Sequence, residues 1–316
     1  MAPRSNARSV RPTDLVALVS YDGEVYPNEA LSWERLARGE GGPHPLENAL
    51  EQWFSFATGR YTWISVKGQS IRGMLSARRR GGGLAWEVDC LIHTDPDPDL
   101  IASLVERMTD DASRAGTRRI YLRLRDDAPS QPMVRATGFV PSRREALWVA
   151  ERGNEPAIAD PPIRPREKED ALALFSLYNA AVPPAVRGLE ATTLQEWTAF
   201  METRGFGSKA EEWVLEEEGQ LTGAIRLARR RSAGWLELTS RPENRWLDAL
   251  LAAGLRRLRG KRNTYALAPE HAAGMGALLA AEGFSEVATA VTLVKRIAVP
   301  IAELEPAQTV QPVVAV

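Results

Sequence analysis

The sequence has little of what disulfides, metal centres and membrane spans require. Its 316 residues include one cysteine, Cys90, so no disulfide can form within the chain, and we expect a reducing compartment, the cytoplasm. The three histidines, His44, His93 and His271, show none of the spacings that bind zinc, so we expect no metal. No apolar run reaches the roughly 20 residues of a membrane helix, and residues 1–10 are too polar for a secretory signal.

An excess of charge of one sign is also missing. The chain has 40 lysines and arginines against 41 acidic residues, which leaves a net charge of −1. Nucleic-acid-binding proteins present a basic face, so we expect no nucleic-acid partner. The length fits two domains of about 100–200 residues each, and a hydrophobic content of 44% provides a core for both.

What the sequence does contain is an internal repeat with a period of about 150 residues. The matching features, first copy and then second, are Trp63 and Trp213, the arginine triplets at 78–80 and 229–231, Trp86 and Trp235, and the Gly-Phe pairs at Gly138 and Gly283. The period is far longer than that of solenoid repeats, so the pattern indicates a duplicated domain.

Each copy shows the same order of predicted elements: helix, strand hairpin, strand, long helix, strand, short helix and strand. In the first copy these are helices near 13–19 and from about Asn48, strands at 61–66, 71–77 and 84–92, a helix from Pro98 to Gly116, and strands at 120–124 and 145–151. In the second copy the long helix runs from Trp246 to Gly260 and the last strand covers 287–294. This order predicts a mixed sheet with helices packed on it.

The order of elements resembles the GNAT superfamily of acyl-CoA-dependent N-acyltransferases. Two further features of that family occur in both halves: the Gly-Phe pair before the last strand, and an Arg-Pro opening at Arg11-Pro12 and Arg164-Pro165. The resemblance implies an α/β fold of two tandem GNAT-like domains. Their expected boundaries are an N-terminal domain at 10–152, a linker at 153–161, a C-terminal domain at 162–297 and a poorly ordered tail at 298–316.

Members of the family hold the CoA pyrophosphate with a glycine-rich loop, Q/R-x-x-G-x-G/A, at the start of the long helix. Backbone N–H groups and the helix dipole face the phosphates there. Both loops of this chain depart from that pattern: Leu100 and Ala102 stand at the glycine positions of the first half, and Trp246 and Asp248 at those of the second.

The two helix starts also differ in charge. Asp95, Asp97 and Asp99 at the first can cap the helix but would repel a pyrophosphate. The second has Arg241 and Arg245, and guanidinium groups bind phosphate bidentately. The resemblance therefore implies that acetyl-CoA or another acyl-CoA is the co-substrate and that it binds the second half.

The candidate residues for this site lie on and after one strand of the second half. The candidate cofactor-binding residues are Leu238, Thr239, Arg241 and Arg245. The candidate catalytic base is Glu237, because this strand borders the substrate cleft in the family and acyl transfer needs a group to take the amine proton.

The tyrosine that protonates the leaving thiolate in the family has no counterpart in this chain. Val134 and Leu279 occupy its positions in the two halves. Tyr121 and Tyr265 lie on the strand after the long helix, and we expect them to be packing residues.

Several other ionisable residues are interpreted as structural. We expect Glu87 and Asp89 to face solvent or to pair with the arginine clusters, although their strand also makes them candidates for a base. His93 and His271 fall in a loop or at a helix start, where surface or capping roles are expected.

Three functions fit these observations. The first is an acyl-CoA-dependent N-acetyltransferase acting on a small-molecule or peptide amine, with its active site in the C-terminal half. The second is a catalytically inactive binding or scaffold protein that kept the fold and lost the pyrophosphate loop. The third is acyl transfer from another donor, such as an aminoacyl carrier, which would not need that loop.

Overall fold

A computed structural model describes residues 6–9, 27–31, 60–67, 70–151, 161–201, 210–229, 233–242 and 245–298. The helices expected near 13–19 and from Asn48, nearly all of the linker at 153–161 and nearly all of the tail at 298–316 lie outside the described residues. The described residues form one twelve-stranded mixed sheet and seven α-helices.

The bounds of the elements follow the predicted order closely. The strands are β1 (Asn6–Ser9), β2 (Arg60–Lys67), β3 (Ser70–Arg80), β4 (Ala85–His93), β5 (Arg119–Arg125), β6 (Val140–Glu151), β7 (Ile163–Pro165), β8 (Ala210–Glu217), β9 (Gln220–Arg229), β10 (Ala233–Ser240), β11 (Asn263–Pro269) and β12 (Ser285–Arg296). The helices are α1 (Pro98–Arg114), α2 (Gln131–Ala136), α3 (Ala171–Ala181), α4 (Pro184–Glu190), α5 (Leu194–Met201), α6 (Leu247–Arg257) and α7 (Met275–Ala281).

Helix α1 shows how local sequence sets an element. Pro98 occupies the first turn, where its fixed φ suits a helix and its missing N–H is no loss. The helix buries an apolar stripe, Leu100, Ile101, Leu104, Val105, Met108 and Ala112, against the sheet. Gly116 ends the helix at φ 72°, in the left-handed conformation that residues other than glycine disfavour.

The sheet has the order β1-β2-β3-β4-β5-β12-β6-β11-β10-β9-β8-β7. From one edge, β1 to β5 of the first half come in chain order and are followed by β12, the last strand of the second half. From the other edge, β7 to β11 of the second half come in chain order and are followed by β6, the last strand of the first half. Strand β12 pairs with β5 and β6, and β6 also pairs with β11. The two halves therefore repeat one topology and exchange their final strands at the centre of the sheet.

The strand register corrects two matches within the repeat. Trp63 lies opposite Leu75 and Trp213 opposite Ile225, so Arg229 corresponds in place to Arg79 and the arginine triplets are out of step by one residue. Trp86 lies opposite Arg79, and the residue opposite Arg229 is Gly234, so Trp86 corresponds in place to Gly234 and not to Trp235.

A bulge in β4 shifts the register by one residue. Ser76 lies opposite Cys90 and Ala77 opposite Val88, so Asp89 has no partner across β3. Beyond the bulge, Leu91 of β4 corresponds to Leu238 of β10, since their partners are Leu75 and Ile225 at equivalent positions.

The halves are joined through a buried carboxylate. Glu190, at the end of α4, is 0% exposed. It accepts hydrogen bonds from Arg143 Nε at 2.7 Å and Nη2 at 2.5 Å, from the Ser142 hydroxyl at 3.1 Å and from the Tyr178 hydroxyl at 3.1 Å. Helix α4 of the second half is thus fastened to β6 of the first.

Candidate functional site

A cleft opens in the second half where two parallel strands separate. Strands β10 and β11 pair along Ala233–Leu236 and Asn263–Ala266 and then diverge. The open space beyond them has a volume of about 790 Å³. Its lining includes Arg143, Tyr178, Val182, Glu237, Leu238, Thr239, Ser240, Arg241, Leu247, His271 and Met275. Ligands of α/β proteins commonly bind at the carboxyl ends of parallel strands, which is where this cleft lies.

The equivalent space in the first half is filled by the chain itself. Strands β4 and β5 also diverge after their parallel pairing, and residues 27–31 lie between them. The Asn28 side chain donates to the Asp89 carbonyl at 3.0 Å and accepts from the Leu91 N–H at 2.9 Å. The Glu29 N–H donates to the Leu91 carbonyl at 2.9 Å.

The same short segment also bonds to the other strand. The Leu31 N–H donates to the Arg123 carbonyl at 2.8 Å, and Ala30, which is 0% exposed, forms an antiparallel bridge with Leu124. We call the gap between two diverging parallel strands a splay; the first lies between β4 and β5 and the second between β10 and β11. Residues 27–31, which lie in the first, are the splay segment. It bonds to the inner edges of both strands, so a ligand cannot pair with those edges while the segment is in place.

A carboxylate fixes the splay segment in place. Glu29 accepts hydrogen bonds from His93 at 2.6 Å and from the Ser130 backbone N–H at 3.0 Å. Burial would raise the pKa of Glu29, but the hydrogen bonds from His93 and Ser130 lower it below its usual range. The same bond to Glu29 raises the pKa of His93. His93 therefore has a structural role, but it is buried, whereas a surface or capping role was expected.

The matching strand edge in the second half has no such segment among the described residues. Leu238 occupies the place of Leu91, and by the same alternation its backbone N–H and C=O face the cleft. Within the described ranges, no backbone segment bonds to this part of β10 from the cleft side. An extended ligand carrying amide groups can therefore pair with it as an added strand would.

The two long helices also differ at their starts. The Asp97 side chain caps α1 by accepting from the Asp99 N–H at 2.9 Å and the Leu100 N–H at 3.4 Å. At α6 the capping residue is Trp246, whose side chain makes no such bond to the first turn. Asp248, in the first turn of α6, offsets part of the positive charge at this end of the helix dipole.

The candidate phosphate-binding residues separate into two groups. Arg241, with Leu238 and Thr239, lines the cleft. The Arg245 side chain is 77% exposed; it donates to Glu217 at 3.0 Å, and its guanidinium lies 5.3 Å from the Trp246 ring centroid. Arg245 is therefore engaged outside the residues that line the cleft.

The candidate base, Glu237, lies where the cleft meets a second, smaller one. Its side chain is 20% exposed, and its Oε2 is 3.6 Å from the nearest nitrogen of Arg226. Arg226 bonds more closely to Glu212, at 2.9 Å. Because its ion pair is long, Glu237 keeps an accepting oxygen for a ligand.

His271 was not expected in the site. It follows β11 directly and lines the cleft together with Arg143. Burial, and then the nearby positive charge of Arg143, lower the pKa of His271 to about 4. The imidazole is therefore neutral near pH 7 and can donate one N–H or accept one proton. Its position at the carboxyl end of a strand was the available signal in the sequence.

The remaining sequence candidates are structural. Glu87 is buried and pairs with Arg78 at 2.5 Å and Arg80 at 2.6 Å. Burial opposes its charge, but the two arginines hold its pKa at about 2. Asp89 pairs with Arg60 at 2.6 Å, and burial raises its pKa. Pairing with the arginine clusters, one of the two structural interpretations, is thus confirmed for Glu87.

Both strand tyrosines pack as expected. The Tyr121 hydroxyl donates to the Glu190 carbonyl at 2.5 Å in the protein interior, and burial raises its pKa. Tyr265 stacks on Trp235 with ring centroids 6.1 Å apart. Neither residue lines the cleft.

Solved structures share this architecture along nearly the whole chain. A GCN5-related N-acetyltransferase from Sphaerobacter thermophilus superposes with a TM-score of 0.56 at 17% identity, covering 95% of this chain and 98% of its own. A tandem GNAT protein from the clavulanic acid biosynthesis pathway superposes with a TM-score of 0.51 at 16% identity, covering 92% and 98%. The chain has the tandem GNAT fold. The sequence matches no protein-family model and no curated protein.

The GNAT likeness at these identities establishes the fold, and the site must supply the argument for activity. None of the described helices is long and apolar enough to cross a membrane. Among the described residues, no cluster of three or more His, Cys, Asp or Glu side chains is placed to hold a metal ion.

Proposed function

We propose that the protein transfers an acyl group from acyl-CoA to an amine, and that the reaction takes place in the cleft between β10 and β11. The observation that carries this proposal is the contrast between the two splays. The splay segment fills the first, whereas in the second no described backbone segment bonds to the edge at Leu238, which lies beside a helix start where the Trp246 side chain makes no capping bond.

The residues present fit an acyl-CoA. The pantetheine arm of CoA has two amide groups, which can pair with the N–H and C=O of Leu238 in the manner of an added strand. Arg241 can contact the phosphates at the cleft wall, near the positive end of α6. The chain has no glycine between Ser240 and Leu247, so phosphate binding depends on a side chain more than on a backbone loop.

The chemistry requires a proton acceptor and a polar partner for the reacting carbonyl. The amine nitrogen attacks the thioester carbon directly, a C–N bond forms, and the C–S bond breaks to release the thiol. Glu237 takes the amine proton, since its carboxylate faces the cleft with one weak ion pair. His271, held neutral, can donate its N–H to the carbonyl oxygen or the sulfur in the same cleft.

Calorimetric titration of the full chain with acetyl-CoA tests the proposal. We expect one molecule bound per chain, and we expect Asp97→Asn, at the start of α1, to leave the affinity unchanged. Two molecules per chain would mean that the first half also binds acetyl-CoA, and loss of binding in Asp97→Asn would place the site in the first half.

A scaffold function is the second candidate, because neither half keeps the glycine loop of the family. The same titration decides between the two. If no acetyl-CoA binds at concentrations well above those typical of acyltransferase substrates, the protein is better described as a GNAT-fold binding protein.

A further inference from the structure

A second cleft adjoins the first on the other side of Glu237. It lies between helices α3 and α5 and strands β8 to β10, and the space between its walls, including the part open to solvent, is about 480 Å³. Its walls are mainly apolar: Leu174, Leu177, Trp197, Val214, Ala224 and Ile225. A compact apolar group placed there would be stabilised because its surface is removed from water.

The two clefts are continuous. Tyr178, Met201, Glu237 and Thr239 line both of them. A ligand in the second cleft can therefore extend a nitrogen past Glu237 to the mouth of the splay, where the proposed function requires the thioester.

The charged groups of the second cleft are concentrated at the end nearest this junction. Among the described residues that line it, Glu212 and Glu237 carry carboxylates and Arg226 carries the one guanidinium. Arg226 is shared by both, at 2.9 Å from Glu212 and 3.6 Å from Glu237. Glu212 also pairs with Arg166, so Glu212 is satisfied by two guanidinium groups, whereas Glu237, with its single long ion pair, can receive an ammonium group.

We infer that the acceptor is a primary amine that carries one compact apolar group and no carboxylate, seated in the second cleft with its nitrogen beside Glu237. The inference rests on the proposed function for the reaction and for the role of Glu237, and on the apolar walls of the second cleft for the rest of the ligand. A carboxylate on the ligand would meet Glu237 at close range, and a second ammonium would be buried against the apolar wall without a partner.

The reaction then balances without another reactant. The bound ammonium loses one proton to the medium and the free amine loses a second to Glu237 as the C–N bond forms. The products are the N-acyl amine and free CoA thiol, and Glu237 returns its proton to the thiolate directly or through solvent.

Three matched probes test the acceptor class: 2-phenylethylamine, phenylalanine, which adds a carboxylate, and 1,4-diaminobutane, which replaces the apolar group with a second ammonium. Their binding to the full chain is measured by calorimetry, and acetyl transfer is measured by mass spectrometry of the product. We expect 2-phenylethylamine to bind at least tenfold more tightly than the other two and to be acetylated with the same preference.

Variants locate the ligand. Ala224→Trp fills the second cleft and should abolish binding of 2-phenylethylamine while leaving acetyl-CoA affinity unchanged. Ala224→Leu provides a smaller filling change if the tryptophan variant does not fold. Ala210→Trp, at the exposed start of β8, is the matched control and should leave both affinities unchanged.

The outcomes separate the two proposals. Equal or tighter binding of phenylalanine or diaminobutane, no binding of any probe, or unchanged amine affinity in a folded Ala224 variant would overturn the inference. Failure of acetyl-CoA to bind would overturn the proposed function, whereas the order of amine affinities would still support or contradict the cleft assignment.

Discussion

Some side chains of the cleft could be predicted from their position along a strand, and others could not. Glu237, Leu238 and Thr239 were identified from their strand, and they line the cleft. The role of His271 could not be predicted, because its lowered pKa comes from burial and from Arg143, which belongs to the other half of the chain. Sequence distance gives no indication of that contact.

The neutral state of His271 is testable by NMR. We predict that its imidazole titrates near pH 4, while His93 titrates above its ordinary value. The unfolded chain protonates His271 first as the pH falls, since its pKa there is about 6.5. The stabilising preference for the neutral form is therefore present above that pH and is lost as the pH falls from 6.5 towards 4. His271→Gln should remove this dependence and the assigned resonance; a pKa of about 6.5 in the folded protein would contradict the account.

The two candidate arginines should differ in importance. Arg241→Glu places a carboxylate on the cleft wall, and we expect acetyl-CoA affinity to fall at least tenfold, about 1.4 kcal/mol. Arg245→Glu changes an exposed side chain engaged with Glu217 and is expected to have a smaller effect. Calorimetry of both variants checks this, and the opposite order would mean that phosphate binds outside the cleft wall.

Among the helices and strands, the local elements were predictable and the splay segment was not. The β2–β3 hairpin and α1 were predicted because alternation, an N-terminal proline and a final glycine are local signals. Residues 27–31 are too few for a periodic pattern. Their position depends on strand edges that lie far away in the sequence.

Removal of the Asn28 amide should destabilise the splay segment. Asn28→Ala leaves the Leu91 N–H and the Asp89 carbonyl without these hydrogen bonds, and we expect a loss of about 1–3 kcal/mol in the free energy of unfolding. Acetyl-CoA affinity should not change, because the open splay lies in the other half. Urea denaturation with parallel calorimetry measures both quantities, and a large loss of affinity would show that the halves are not independent sites.

Across the full chain, the sequence predicted the duplication but not the exchange of final strands. The repeated motifs show that two similar units exist, whereas the pairing of β12 with β5 and of β6 with β11 is set by contacts between the halves. The boundaries at 10–152 and 162–297 remain our proposal for the repeating units. Because of the exchange, each unit shares its central strand contacts with the other.

The junction at Glu190 should be critical for stability. Glu190→Gln leaves the buried Arg143 without its closest carboxylate, and we expect a loss of about 3–5 kcal/mol. Glu216→Gln, which removes an exposed ion pair with Arg164, is the control and should cost less than about 1 kcal/mol. Chemical denaturation of both variants measures the difference. Equal losses would mean that the buried junction does not hold the halves together.

The central claim is that the second splay binds acyl-CoA and the first does not. A crystal structure of the full chain grown with acetyl-CoA tests it most directly. We predict one acetyl-CoA between β10 and β11, with its pantetheine arm along Leu238 and its thioester near Glu237. An acetyl-CoA between β4 and β5, with residues 27–31 displaced, would contradict it.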